Sequence, residues 1–424
     1  MQRSINTAQA IEAVVTYRRT RRQVMTIQPV PKASVPSEAE LLRNAREMVP
    51  RLLERAEAAE RQMRVPDETI QEMKDAGFFR VLQPRHFGGY EMSPRVFYSI
   101  QMILAEGCMS TAWVYGVLGV HPWQLALFDP QAQEEVWSRD TSTLVASTYM
   151  PVGKVTRVSE GFRLSGRWSF SSGCEHAEWI FLGAMVPSEQ EGAAPEYRTF
   201  LLPKADYTVI HNWNTFGLKG TGSHDIVVED AFVPAYRTHR TRDDSPAARP
   251  GLSINSGPLF RLPFAQVFTR AVSSSCIGGL QGAINAFRRT AALQVSRNFL
   301  GATANDPTAQ LVAAEAASAV DQLKLTLFRN FDEMMTHAEL GESAPIEDRL
   351  LYRYQSSQAP EICAHHVSRL LKSCGGSGIY TSHPIVRTFL DIHAGRAHVA
   401  NYADPVGRNF GGVLCGLENK DSTV

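Results

Sequence analysis

Residues 161–174 read Gly-Phe-Arg-Leu-Ser-Gly-Arg-Trp-Ser-Phe-Ser-Ser-Gly-Cys, and this stretch decides the fold class. Its first part alternates apolar and polar residues with the period of two that is typical of a strand, and it ends in a Ser- and Gly-rich turn. Similar short runs follow one another between Thr143 and about Arg240. The sequence therefore predicts a β domain inside a chain that is otherwise helical.

Helical periodicity flanks this β region on both sides. On the N-terminal side, Ser37 is followed three residues later by Glu40, which is the spacing of a capping box, and Leu and Ala then recur at helix spacing. On the C-terminal side, long helical segments follow Pro263, at about 271–300, 308–340, 348–374 and 385–401. The α–β–α order predicts an α+β fold with an N-terminal helical domain, a central β-barrel domain and a C-terminal four-helix bundle.

The domain boundaries follow from these changes of period. We place the N-terminal α-helical domain at residues 37–142, the central β-barrel domain at 143–245 and the four-helix bundle at 246–424. Residues 1–36 contain several arginines and a Pro-rich stretch but lack the Ser richness and cleavage site of a transit peptide. We expect a flexible N-terminal arm there, or an overlong start that precedes Met25.

Composition narrows the classes of function. The 424 residues include 43 basic and 43 acidic side chains, so no net field attracts nucleic acid or an anionic membrane. No apolar run reaches the roughly 18 residues of a membrane span. The six cysteines are widely spaced, without the pairs that bind metal, and we expect reduced thiols in a cytoplasmic protein. Walker A, GxSxG, HExxH and strand-linked GxGxxG motifs are all missing, which argues against hydrolases and kinases.

The first candidate site is the segment Gly119-Val120-His121-Pro122-Trp123. His121 stands between an apolar helix and a proline, where a histidine is often a hydrogen-bonded core residue. Its functional interpretation is a general base, because imidazole titrates near neutral pH, where a phenol needs help to lose its proton. The segment alone leaves both interpretations open.

Two glycine-bounded turns are the next candidates. In residues 166–174, hydroxyls and backbone amides could hold the edge of a flat heteroaromatic ring, although an ordinary β-turn explains the composition as well. In residues 217–225, Gly-Leu-Lys-Gly-Thr-Gly-Ser-His-Asp could cradle a phosphate, but this loop does not open a helix. We favour a structural turn for the second loop.

The last candidate lies near the C-terminus. Gly375-Gly376-Ser377-Gly378 separates two helical segments, and the second segment contains His393 and His398. If both histidines lie on one helix, they are about 140° apart around its axis, which disfavours a shared zinc ion. We therefore predict no metal site, and expect one histidine to face a cleft.

These segments together resemble the acyl-CoA dehydrogenase superfamily, from about residue 38 onwards. Trp168–Ser172 and Gly375–Gly378 match segments that contact the flavin in that superfamily. Acyl-CoA dehydrogenases carry a catalytic glutamate after the C-terminal helix, whereas residues 398–404 here read His-Val-Ala-Asn-Tyr-Ala-Asp. The chain is similar instead to the reduced-flavin monooxygenase branch, known as group D, whose oxygenase components hydroxylate phenols.

The resemblance implies a complete two-component chemistry. It implies reduced FMN, with FAD as the alternative flavin, delivered by a separate NAD(P)H:flavin reductase to a homotetramer. The co-substrate would be O2, and a phenolic substrate would be hydroxylated ortho to its hydroxyl through a C4a-hydroperoxyflavin. An N- or S-oxygenase on the same scaffold, a true acyl-CoA dehydrogenase, and an inert binding protein are the alternatives.

The resemblance also assigns roles to individual residues. Ser171 or Ser172 would lie at the flavin N5, His398 would favour the reduced flavin anion, and His121 would remove the phenol proton. Further flavin contacts would come from Trp113, Ser147, Thr148, Tyr149, Gly376, Ser377, Val399 and, at the phosphate, Arg297. Substrate contacts would come from His121, Ser147, Arg261 and Phe264. Leu390 departs from the pattern, since relatives usually have arginine there, which weakens the expectation of a salt bridge with Asp391.

Overall fold

The computed structural model describes residues 35–188, 192–243, 245–292, 295–296, 301–421 and 424. Most of the expected N-terminal arm and the expected phosphate ligand Arg297 lie outside these residues. No helix in the described ranges combines the length and apolar character that a bilayer crossing requires.

The N-terminal part consists of helices, as the periodicity predicts. They are α1 (Glu38–Gln62), α2 (Asp67–Asp75), α3 (Pro94–Gly107), α4 (Met109–Leu125) and α5 (Pro130–Trp137). Helix α1 begins with the expected capping box, in which the Glu40 amide donates to the Ser37 hydroxyl and the Ser37 amide donates to the Glu40 carboxylate. Helix α4 is buried along its whole length, which explains why its residues are apolar on every face.

The β region forms a single seven-stranded sheet among the described residues. Its strands are β1 (Val145–Val158), β2 (Gly161–Ser171), β3 (Trp179–Val186), β4 (Glu196–Pro203), β5 (Thr208–Ile210), β6 (His224–Pro234) and β7 (Thr238–His239). The order across the sheet is β5-β6-β2-β1-β3-β4-β7, with β1 and β3 parallel and the other pairs antiparallel.

The sheet does not close into the barrel that the sequence predicted. In the described part of the chain, β5 and β7 stand at the two edges and no ladder joins them. Strand β1 links the two halves, because residues 145–148 pair with β3 and residues 154–158 pair with β2. Its change of partner lets the sheet bend without closure, and the prediction of a β-barrel is corrected to an open sheet.

Long helices make up the C-terminal part: α6 (Phe264–Ala291), α7 (Pro307–Glu339), α8 (Ile346–Ser373), α9 (Pro384–Gly395) and α10 (Ala403–Leu414). Two short strands, β8 (Val295–Ser296) and β9 (Gly301–Ala302), pair between α6 and α7. Helix α6 is buried over most of its length and contacts α3, α7, α8 and α9. Helix α6 thus lies at the centre of the helical layers, while the four-helix bundle and the three domain boundaries remain predictions.

Helix α9 ends earlier than the sequence pattern indicated. The predicted helix runs to about residue 401, but the chain leaves the helix after Gly395. The Asn401 side-chain amide donates to the Gly395 carbonyl at 2.8 Å and to the Val272 carbonyl at 2.8 Å, so the side chain satisfies acceptors at the helix end. His393 and His398 therefore do not share a helix, and the premise of a 140° separation is wrong.

Candidate active site

His121 lies in the last turns of α4, in a fully buried position. Its Nδ1 is hydrogen-bonded to the Val145 carbonyl on β1, and because a carbonyl only accepts, Nδ1 carries the proton. Nε2 is buried and has no hydrogen-bond partner. Burial lowers the pKa of His121 to about 4, against the smaller opposing effect of the Val145 hydrogen bond. The ring is therefore a neutral imidazole with a free acceptor nitrogen.

Aromatic side chains pack around the His121 ring. The His121 ring centroid lies 6.3 Å from that of Tyr149, 5.5 Å from Phe181 and 6.4 Å from Phe268. Phe264 extends the group, 5.2 Å from both Tyr149 and Phe268. An apolar aromatic environment of this kind suits a flat ring that presents one hydroxyl to His121.

Tyr149 connects His121 to a residue that the sequence reasoning missed. The Tyr149 hydroxyl donates to the Gln124 side-chain oxygen, one helical turn after His121. Burial raises the pKa of Tyr149 well above its usual range, while hydrogen bonds with Ser147 and Gln124 act in the opposite direction. The Gln124 amide nitrogen is buried without a partner. A polar residue in the apolar stretch after His121 was the signal that could have identified it.

A second polar group lies where β2 ends. The Trp113 indole N–H donates to the Ser172 hydroxyl at 3.2 Å, and Ser172 shares a 2.7 Å hydrogen bond with Ser223. Ser223 in turn contacts the Thr221 hydroxyl at 2.7 Å. The loop 217–225, for which the sequence favours a structural turn, therefore contributes hydroxyls to this group.

Ser171 differs from its neighbour Ser172. It is fully buried, yet its hydroxyl has no hydrogen-bond partner. The pairing of β2 with β6 is irregular between Trp168 and Ser171, and Phe170 has φ +68°, which bulky residues rarely adopt. The Phe170 ring is exposed, whereas the Ser171 side chain is buried. A buried hydroxyl without a partner is expected where a cofactor would supply the missing hydrogen bond.

His398 lies beside Trp113, with ring centroids 5.8 Å apart. It caps the short turn Val399–Asn401, and its Nδ1 accepts the Ala400 amide N–H at 3.1 Å. A neutral ring with an accepting Nδ1 carries its proton on Nε2. Burial lowers the pKa of His398 to about 4, and the Arg353 guanidinium contributes in the same direction. His398 therefore presents an N–H donor at neutral pH.

Helix α4 supplies residues to both groups. By helical geometry, Trp113, His121 and Gln124 project within about 80° of one another. Strand β1 adds Ser147, Thr148 and Tyr149, and the Thr148 hydroxyl donates to the Ser169 carbonyl at 2.9 Å. Helix α4 and strands β1 and β2, with the residue that follows β2, thus carry half of the predicted site residues.

Other predicted residues make no hydrogen bond or ring contact with these two groups among the described residues. The Ser377 hydroxyl donates to the Cys374 carbonyl, Gly376 is exposed with open space where a side chain would stand, and Val399 is 82% exposed. Arg261 is exposed, and its described hydrogen bond goes to the Ala338 carbonyl rather than to the aromatic residues around His121.

His393 is separate from the candidate site. It lies on a surface groove of about 410 Å³. Its Nε2 is within hydrogen-bond distance of the Ser368 hydroxyl, at 3.2 Å.

Asp391 joins the C-terminal helices to the loop that carries Ser223. Its side chain is buried and accepts the Leu218 amide N–H at 2.5 Å. Burial raises the pKa of Asp391 to about 7, although the Leu218 hydrogen bond opposes the shift. Leu390, the preceding residue, offers no cation, and the backbone amide of Leu218 hydrogen-bonds this carboxyl.

One group of side chains in the described residues has the spacing of metal ligands. The ligand atoms of Glu175, His211 and His224 lie within 4.8 Å of one another. However, His224 Nδ1 accepts the backbone amides of Asn212 and Trp213, which leaves the proton on Nε2, facing Glu175. This tautomer favours hydrogen bonds among the three residues over a metal ion.

Comparison with known proteins places these features in a family. Models of the acyl-CoA dehydrogenase N-terminal and C-terminal domains match residues 36–142 and 271–402. The fold and the group around Trp113, Ser172 and His398 thus define a protein of the acyl-CoA dehydrogenase type, without the glutamate of the dehydrogenases.

Individual relatives show to which branch of this family the chain belongs. The oxygenase subunit HsaA of a flavin-dependent monooxygenase from Rhodococcus jostii is 36% identical over 378 residues, which cover 89% of this chain and 98% of HsaA. The oxygenase component of an FADH2-dependent resorcinol hydroxylase from Rhizobium sp. is 32% identical, covering 86% of this chain and 91% of the relative. The crystal structure of 3-HSA hydroxylase from Rhodococcus sp. matches with a TM-score of 0.86 at 35% identity, covering 91% and 99% of the two chains. The chain belongs to the acyl-CoA dehydrogenase-like flavin-dependent monooxygenases, and the resemblance seen in the sequence is confirmed.

Proposed function

We propose that this protein is the oxygenase component of a two-component monooxygenase that hydroxylates a phenolic ring ortho to its hydroxyl, using reduced FMN and O2. The observation that carries the proposal is His121, a buried neutral imidazole whose Nδ1 is tied to the Val145 carbonyl and whose Nε2 is free within an aromatic group. A phenol that enters this group can give its proton to Nε2, and the loss of that proton raises electron density at the ortho carbon.

The group around Trp113 fits a flavin. Ser171 offers a buried hydroxyl without a partner, and Ser172 lies in a chain of hydrogen bonds that holds its hydroxyl in place. When bound, the reduced flavin supplies the activation of O2. The protein's part is to exclude water with buried apolar residues and to fix hydrogen-bonding groups at the flavin edge. Thr148, Tyr149, Gly376, Ser377 and Val399 would complete the flavin contacts.

His398 would reach the role implied by the resemblance from a neutral starting form. A histidine with a pKa of about 4 is neutral at physiological pH, so it acts first as an Nε2–H donor rather than as a cation. An anionic reduced flavin next to the ring would raise this pKa, because an opposite charge favours the protonated form. His398 would then stabilise the anion both by hydrogen bonding and by charge.

The partners of the enzyme follow from the same proposal. The relatives are named as oxygenase subunits or components, which supports a separate reductase as the source of reduced flavin. FAD remains the alternative to FMN, because one relative is named as FADH2-dependent. We also infer a cytoplasmic homotetramer. Exposed apolar side chains at Ile379, Tyr380, Val399 and Tyr402 support contact with a second copy.

The test is hydroxylation without the reductase. The protein is mixed under argon with photochemically reduced FMN and a small panel of monophenols and resorcinol, and buffer equilibrated with ¹⁸O2 is then added. We expect a catechol-type product that carries one ¹⁸O atom, detected by mass spectrometry. If the flavin is oxidised with only hydrogen peroxide as product for every phenol, the proposal is wrong.

A further inference from the structure

The amide of Gln124 is an unused donor in the pocket proposed for the phenol. Gln124 is 1% exposed, and its Nε2 has no hydrogen-bond partner, although its Oε1 accepts the Tyr149 hydroxyl. A buried N–H group without a hydrogen-bond partner destabilises the fold. Nothing in the described part of the fold offsets this destabilisation, which points to a ligand atom as the missing acceptor.

His121 provides the complementary group on the same helix face. Side chains three residues apart on a helix are neighbours, with Cβ atoms about 5–6 Å apart. His121 Nε2 is a buried acceptor without a partner, whereas Gln124 Nε2 is a buried donor without a partner. Tyr149 contacts both residues, through its ring at His121 and through its hydroxyl at Gln124. An acceptor and a donor side by side match a hydroxyl group, which both donates and accepts.

We propose that Gln124 anchors the substrate, its side-chain amide donating an N–H hydrogen bond to the phenolic oxygen from which His121 takes the proton. This inference rests on the proposed function. The proton moves from the phenol oxygen to His121 Nε2, and the resulting phenolate oxygen retains the hydrogen bond from Gln124. His121 and Gln124 thereby select rings that carry a hydroxyl group. They disfavour rings whose substituent only accepts a hydrogen bond, and rings whose substituent neither accepts nor donates one.

The pKa values of a phenol and of His121 explain why the Gln124 donor is needed. A phenol ordinarily has a pKa of about 10, as tyrosine does, whereas burial lowers the pKa of His121 to about 4. Proton transfer to such a weak base is unfavourable unless another group stabilises the phenolate. Tyr149 cannot take over this task fully, since its hydroxyl proton is engaged by Gln124 Oε1. Hydrogen bonds to charged acceptors are stronger than those to neutral ones, so the amide favours the deprotonated substrate.

The first test uses 4-cyanophenol bound to the oxygenase with reduced FMN under argon. The nitrile stretching band distinguishes bound phenol from bound phenolate, and its titration gives the apparent pKa of the bound probe. In Gln124→Met we expect this apparent pKa to rise by about one unit, which is a tenfold smaller phenolate-to-phenol ratio at a given pH. Tyr149→Phe is the matched control, because it removes the hydroxyl that donates to Gln124 Oε1 but keeps the Gln124 amide. We expect a smaller shift of the apparent pKa of the probe in this variant.

The outcomes separate the anchoring role from its alternatives. No shift in Gln124→Met overturns the anchoring role, and so does an equal shift in both variants, because Gln124 would then act only by holding Tyr149. Either result leaves the hydroxylation of phenols in place. Failure of the wild-type protein to bind or hydroxylate any phenol instead overturns the proposed function itself.

A second test needs no variant and guards against a Gln124→Met protein that does not fold. 4-Methoxybenzonitrile and 4-ethylbenzonitrile have nearly the same shape, but only the ether oxygen can accept the Gln124 N–H. For the wild-type protein we expect the ether to bind several-fold more tightly than the ethyl compound, as a neutral hydrogen bond provides. Equal affinities of the two compounds would overturn the anchoring role.

Discussion

His121 and His398 show how one side chain acquires two different functions. Burial lowers the pKa of each to about 4, so both rings are neutral at physiological pH. They differ in the group that holds Nδ1. The Val145 carbonyl accepts from His121 Nδ1 and leaves Nε2 as an acceptor, whereas the Ala400 amide donates to His398 Nδ1 and leaves Nε2 as a donor. In the proposed function, the backbone partner rather than the pKa would make His121 the base for the substrate and His398 the donor to the flavin.

Removing the acceptor nitrogen of His121 is expected to have the largest effect. We expect His121→Ala to lower the rate of hydroxylation by about 10²–10⁴-fold, the usual contribution of a positioned general base. Oxidation of reduced flavin should continue, because His398, Ser171 and Ser172 are unchanged, so hydrogen peroxide should replace the hydroxylated product. The measurement is product formed per flavin oxidised in single-turnover mixing.

His239 offers a matched control for that variant. It is also a buried neutral histidine, since burial first and nearby arginines second lower its pKa to about 3, but its ring packs against Phe128 outside both groups. We expect His239→Ala to lower the melting temperature while the coupling of flavin oxidation to hydroxylation stays unchanged. Equal uncoupling in both variants would mean that His121 acts through stability rather than as a base.

The pH dependence of protein stability tests whether burial lowers the pKa of His121. His121 in the folded protein has a pKa of about 4, below its ordinary value of 6.5, so the unfolded chain binds more protons between these values. Stability is therefore lost as the pH falls from about 6.5 towards 4. For the fully buried His121 the loss approaches about 3 kcal/mol. We expect the free energy of unfolding, measured by urea titration, to fall less steeply with pH in His121→Asn than in the wild type, and equal slopes would contradict the burial argument.

Sequence patterns identified the components of the site better than their arrangement. Capping and periodicity predicted the start of α1 closely, because local hydrogen bonds and amphipathic spacing determine such an element. The end of α9 was missed, since the Asn401 side chain that satisfies the Gly395 carbonyl acts from outside the predicted boundary. The barrel was also wrong, because closure depends on long-range pairing of edge strands that no local pattern encodes.

The residues of the site show the same division. His121 and Ser172 lie in motifs that the sequence singled out, whereas Gln124 emerged only from its contact with Tyr149. Ser223 lies in a loop for which the sequence favoured a structural turn, and its place in the site emerged from its hydrogen bond with Ser172. Similarly, the sequence could not give the tautomer of either histidine, which depends on a backbone group brought close by folding. The chemical type of a site is thus readable from residues, but its proton positions require the tertiary structure.

The donor side of the comparison is tested by two substitutions at His398. We expect His398→Ala to bind reduced FMN about tenfold more weakly, because it loses a hydrogen bond to a charged group. His398→Asn should recover part of this loss, since asparagine can accept the Ala400 amide as an N-cap and still offer an N–H donor. Affinity is measured by anaerobic titration. If the asparagine and alanine variants are equally weak, hydrogen bonding from position 398 is not the source of the affinity.

The smallest effect is expected at Ser172. Its hydroxyl accepts from Trp113, which lies on the same helix α4 as His121. Ser172→Ala removes the acceptor of the Trp113 N–H and breaks the link to Ser223, while Ser171 keeps its hydroxyl. We expect a several-fold loss of coupling between flavin oxidation and hydroxylation, as one neutral hydrogen bond allows. Ser274→Ala is the control, because Ser274 is another buried serine, on α6, whose hydroxyl already lacks a partner. Product yield per reduced FMN is compared for the two variants. If Ser274→Ala matches Ser172→Ala, the effect comes from packing; if Ser172→Ala equals the wild type, Ser171 alone provides the hydroxyl at the flavin.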